Sequence, residues 1–65
     1  MRIRLNGKEN TLAPGSTVAD ALALLGAPES GVAVAVDGDV VPRSQWHTAL
    51  RDGAVVEVLT AVQGG

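Results

Sequence analysis

The sequence predicts an α+β domain, a mixed sheet of four to five strands covered on one face by a single helix. Three observations carry this prediction. Short runs with period-2 alternation recur between Asn-Gly and Asp-Gly turn signals; one stretch, Val18 to Leu25, has apolar residues at helical spacing; and a last apolar run, Ala54 to Thr60, is again strand-like. No linker, internal repeat or low-complexity tract divides the 65 residues, so they form one domain.

In the first strand Ile3 and Leu5 alternate with Arg2 and Arg4, and Asn6-Gly7 then signals a type I′ hairpin turn, so residues 2 to 12 read as a hairpin. Its second arm, Lys8 to Leu12, is polar except for Leu12, which suits a sheet edge guarded by charge. After the Pro14-Gly15 turn, Thr17 precedes the helix and Asp20 follows three residues later as a variant capping box. Val18, Ala21, Leu22 and Leu25 make its apolar stripe, and Gly26 supplies the left-handed C-terminal cap. A helix of two turns does not persist alone in water, so it must lie on the sheet.

Val32 to Val36 is the next strand, with Asp37-Gly38 turning it into Val40-Val41, which Pro42 ends. Ser44 is placed to cap a turn of helix through Trp46 and His47, and Asp52-Gly53 introduces the last strand. The expected core is Ile3, Leu5, Val18, Leu22, Leu25, Val34, Val36, Val56 and Val58, with Val55, Glu57 and Leu59 turned outward. Strand, strand, helix, strand, short strand, strand is satisfied by a β-grasp layout, in which the first and last strands lie parallel at the sheet centre. The chain then divides into a β-grasp domain over 1–60 and a mobile tail over 61–65.

Composition narrows the function. A net charge of −2 with five scattered Lys and Arg gives no field for nucleic acid. No apolar run reaches the roughly 18 residues of a membrane span, and Met1-Arg2-Ile3-Arg4 leads into a strand, so a cytoplasmic location is expected. Catalysis by this chain's own side chains has little support: Cys is absent, His47 is the one histidine, and Asp37 and Asp39 flank a turn glycine as solvated residues do. No ligand set for a metal is visible, and no enzyme activity or bound cofactor is expected. Trp46, the one aromatic residue, is expected to close the small core, while Arg43 is either a solvated turn residue or the partner of an acid on another protein.

The informative stretch is the end, Val58-Leu59-Thr60-Ala61-Val62-Gln63-Gly64-Gly65, in which no charged side chain follows Glu57. Two terminal glycines arise by chance in roughly one chain in two hundred. Without β-carbons they extend through a narrow channel and present a carboxylate to another enzyme. That carboxylate is an anion at pH 7 and a poor electrophile. Adenylation would supply a leaving group, using ATP and a magnesium ion held by a partner. Sulfur attack then gives a thiocarboxylate, and amine attack an isopeptide. Gly65 is thus the expected reacting residue, Gly64, Gln63 and Val62 the segment that enters the channel, and Leu59 with Ala61 an aliphatic grip for the partner.

Asn6-Gly7, Thr17-Val18-Ala19-Asp20, Val34-Ala35-Val36, Val41-Pro42-Arg43-Ser44-Gln45-Trp46, Asp52-Gly53 and Gly64-Gly65 together resemble ThiS, the sulfur-carrier family of thiamine biosynthesis, over essentially the whole chain. The most specific parts are Pro42-Arg43 with Trp46 and the diglycine end. The resemblance implies a ubiquitin-like fold and adenylation of Gly65 by a ThiF-type adenylyltransferase. It further implies a thiocarboxylate with sulfur drawn from cysteine by a desulfurase, and delivery to thiazole synthase. Gln63 departs from members with a third small residue there, which bears on channel fit and leaves Gly65 untouched. The small subunit of molybdopterin synthase shares fold, diglycine and sulfur chemistry, but its longer chain carries more aromatics. Two readings come from other classes. A β-grasp interaction module predicts that trimming the tail leaves partner binding unchanged, and a protein modifier predicts conjugates on lysines.

Overall fold

The computed structural model describes residues 1–28 and 30–60. Among these residues five strands and one helix follow each other as β1 (Arg2–Leu5), β2 (Lys8–Thr11), α1 (Val18–Leu25), β3 (Val32–Val36), β4 (Asp39–Val41) and β5 (Val55–Thr60), with a 3₁₀ turn over Arg43–Gln45. The sheet order is β2-β1-β5-β3-β4, so the last strand is central; it runs parallel to β1 and antiparallel to β3. This is the β-grasp topology expected from the element order. The tail expected over 61–65 lies outside the described residues.

Both hairpins turn as their dipeptides require. Asn6 and Gly7 have φ of 49° and 82°, and Asp37 and Gly38 have 52° and 87°, the paired positive values of a type I′ turn that matches strand twist. The helix start also follows the sequence. The Thr17 hydroxyl accepts from the Asp20 N–H at 3.2 Å while the Asp20 carboxylate accepts from the Thr17 N–H at 2.9 Å, closing a capping box, and Gly26 at φ 77° ends the helix.

The core lies between α1 and the sheet, and contains Ile3, Leu5, Val18, Ala21, Leu22, Val34, Val56 and Val58 together with Trp46, Leu50 and Ala54. Two expected members differ. Leu25 is 43% exposed, because it is the last residue of a helix that ends at Gly26, while Val36 is half-buried at the end of β3. Val36, Val41, Val18 and Leu50 instead border an open cavity of about 260 Å³ between the sheet and residues 45–51.

Trp46 joins the core, as expected. Its indole is buried, its Nε1–H donates to the Val41 carbonyl at 3.1 Å, and its own carbonyl accepts from Ala19 at the start of α1. This ties the end of β4 to the helix. The 3₁₀ turn that delivers Trp46 has no side-chain cap, in contrast to the role expected of Ser44: Pro42, in extended backbone, is its N-cap, and Ser44 lies inside the turn.

Candidate functional site

β5 alternates as its sequence requires, with Val56 and Val58 in the core and Val55, Glu57 and Leu59 on the open face of the sheet. Its placement depends on two turn residues. Asn6 and Asp37 are the non-glycine residues with positive φ among the described residues, and each gives a side-chain oxygen to a β5 amide. Asp37 Oδ1 accepts from the Val55 N–H at 2.9 Å, and Asn6 Oδ1 accepts from the Val58 N–H at 2.7 Å. The left-handed conformation is what brings these short polar side chains back onto the neighbouring strand.

Asp37 is therefore more than the solvated turn residue expected. The Val55 N–H and the Arg51 guanidinium, whose Nη2 lies 3.1 Å from Asp37 Oδ2, together hold its carboxyl below the usual carboxylate range. The start of β5 is pinned by a charge-assisted hydrogen bond and its middle by a neutral one.

The parallel ladder explains why the strand then runs free on one side. Arg4 N–H donates to the Ala54 carbonyl and Asn6 N–H to the Val56 carbonyl, both at 2.9 Å, and at Gly7 the chain turns away into β2. On the other side β3 stays paired with β5 as far as Val32 opposite Thr60. The tail-bearing strand is thus held by both neighbours over its first half and by β3 at its end.

The predicted docking residues fall in different places. Leu59, 69% exposed, pairs across with Ala33 on the open face, where Ala35 joins Glu57 to Val40, itself 75% exposed. With Val55 these side chains make an aliphatic surface beside Arg4 and Glu57. Val40 was not legible as part of it, because the face shared by β3, β4 and β5 depends on register across strands.

Arg43 is not on that face. Its guanidinium carbon lies 5.9 Å from the centre of the Trp46 ring, in the connection that closes the helix side. β4 runs parallel to β5 and Val41 is level with Val58 through Val34, so Arg43 leaves the sheet at the same end as Thr60. Ala61, Val62, Gln63, Gly64 and Gly65 lie outside the described residues. No group of three metal-ligating side chains occurs among the described residues.

A family model for the ThiS family matches residues 3–65. The chain belongs to the ThiS family. It is 32% identical over 66 residues to the sulfur carrier protein ThiS of Escherichia coli K12, covering the whole of both chains. The crystal structure of the thiamine biosynthesis protein ThiS from Geobacter metallireducens superposes with a TM-score of 0.80 at 32% identity, again over both entire chains. A solution structure of a thiamine biosynthesis protein from the same organism superposes at 0.74 and 32% identity, covering all of this chain and 88% of that one. In this ThiS-family chain the Asn6-Gly7 and Asp37-Gly38 turns set the strand that leads to residue 65, and Pro42-Arg43 with Trp46 braces the opposite layer. No helix among the described residues is long and apolar enough to cross a membrane.

Proposed function

We propose that this chain is a sulfur carrier of thiamine biosynthesis whose reacting group is the carboxylate of Gly65. The observation that carries the reading is the family match, which runs through residue 65 and includes the diglycine three residues beyond the central strand. In the first step a carboxylate oxygen attacks the α-phosphorus of ATP and pyrophosphate leaves. In the second, the terminal sulfur of a persulfide attacks the acyl carbon and AMP leaves. A thiol of the partner system then cleaves the resulting acyl disulfide, releasing the thiocarboxylate and forming a disulfide on the partner side. ATP and magnesium belong to a ThiF-type adenylyltransferase; a cysteine desulfurase supplies the sulfur and thiazole synthase receives it.

Within this reading the chain contributes position rather than catalysis. The hydrogen-bonded β5 is the rigid post, Leu59 and the aliphatic open face are the grip, and Ala61, Val62, Gln63 and Gly64 cross the channel. Arg43, at the same end of the sheet, faces the partner from the other layer.

The test is intact mass after incubation with the adenylating enzyme of the same organism, ATP and a sulfur donor. Wild type gains the mass of sulfur replacing oxygen. Gly65→Ala places a β-carbon beside the activated carbonyl, and one added residue moves the carboxylate about 3.3 Å onward. Because a misplacement of about 1 Å costs roughly a hundredfold in rate, both variants lose most of the product while melting as wild type does. Thiocarboxylation of the extended chain at the wild-type rate, without prior proteolysis, refutes the assignment of Gly65.

A further inference from the structure

The side of β5 that β1 vacates carries three backbone groups with no partner among the described residues. Amide and carbonyl directions alternate along a strand. Asn6 N–H donates to the Val56 carbonyl, and Asn6 Oδ1 takes the Val58 N–H, so the even-numbered residues of β5 direct their backbone groups toward β1. The Val55 carbonyl accepts from the Asp37 N–H at 2.8 Å, so the odd-numbered residues serve β3. Beyond the Val58 N–H this leaves the Val58 carbonyl and the Thr60 N–H and carbonyl pointing into the space beside the Asn6-Gly7 turn. Thr60 is exposed, and its pairing with Val32 does not use these groups.

Open strand edges are usually guarded. Of the two outer edges here, β2 carries Lys8 and Glu9, and β4 begins at Asp39. The β5 notch has no such charge: the residues that follow it in the sequence are Ala61, Val62 and Gln63. An extended segment laid along this edge would pair with Val58 and Thr60.

We propose that the adenylating enzyme holds the carrier by strand addition, an extended segment of the enzyme hydrogen-bonding to Val58 and Thr60 on the edge that β1 vacates. This rests on the carrier reading and specifies how the partner grips the tail. Backbone pairing of this kind is indifferent to side chains and fixes the direction of the strand. It would aim the diglycine at the adenylation centre whatever residues occupy 61 to 63.

The test uses Thr60→Pro, which removes an N–H that β3 does not need, with Thr60→Val as the control that keeps it. With the adenylating enzyme of the same organism, Thr60→Pro is expected to bind about tenfold more weakly and Thr60→Val as wild type does. Amide exchange on the wild-type pair gives a second readout, which holds even where the proline variant is poorly folded. The Thr60 N–H is expected to slow by about tenfold or more in the complex. Adenylation of Thr60→Pro at the wild-type rate, or a Thr60 amide that exchanges equally fast free and bound, overturns the strand addition and leaves the carrier reading standing. A wild-type chain that is not adenylated overturns both. Concentration-dependent protection of Thr60 in the free carrier identifies the occupant as a second copy and also overturns the proposal.

Discussion

The carboxamide of Asn6 accepts a hydrogen bond from the Val58 N–H at 2.7 Å across 52 residues of sequence, and so continues the β1–β5 ladder one step past the point where β1 turns away. Asn6 does this from a left-handed backbone that an aliphatic residue adopts only at a cost. Asn6→Gly keeps the turn and removes the acceptor, leaving an N–H in the buried Val58 unpaired, so it is expected to destabilise by about 1–3 kcal/mol. Asn6→Ala adds roughly 1–2 kcal/mol of backbone strain. Urea unfolding of the two variants separates these effects, and equal stabilities for them would remove the backbone contribution.

Leu22 is almost fully buried between α1 and the sheet. Truncation to Ala is expected to cost about 2–5 kcal/mol, a large part of the stability of so small a domain. A Leu22→Ala variant with the wild-type thermal midpoint would contradict its place in the core.

Acid sensitivity follows from Asp37. Its carboxyl titrates below the ordinary 3.8 in the folded chain because the Val55 N–H and then Arg51 favour the charged form. The stability this contributes is present above the unfolded value and is lost as pH falls through the folded one, so the window lies below pH 3.8. Asp37→Asn keeps an acceptor for Val55 and tolerates the left-handed turn, and its thermal midpoint is expected to fall less steeply across that window. Identical acid profiles for the two proteins would assign the acid loss to other carboxylates.

Leu59 is the exposed aliphatic nearest the tail on the open face. Leu59→Asp is expected to leave the thermal midpoint unchanged and to lower kcat/KM for adenylation by about tenfold or more, the size of a central interface residue. Unchanged kinetics would take Leu59 out of the docking surface.

Local signals in the chain set the elements and their ends. Asn6-Gly7, Asp37-Gly38, the Thr17–Asp20 box and Gly26 act through backbone geometry within four residues, so their outcome does not depend on what packs nearby. The alternation of β5 likewise settled that Leu59 faces out. Tertiary structure decided what these residues touch. Neither the service of Asn6 and Asp37 to β5, nor the bond from the Ala19 N–H to the Trp46 carbonyl, nor the union of Val40 with Leu59's face is encoded at short range. Each depends on which strand lies beside which, and in what register. Those are set by burying Ile3, Val34, Val56 and Leu22 together, a collective choice among residues up to 53 positions apart in the sequence.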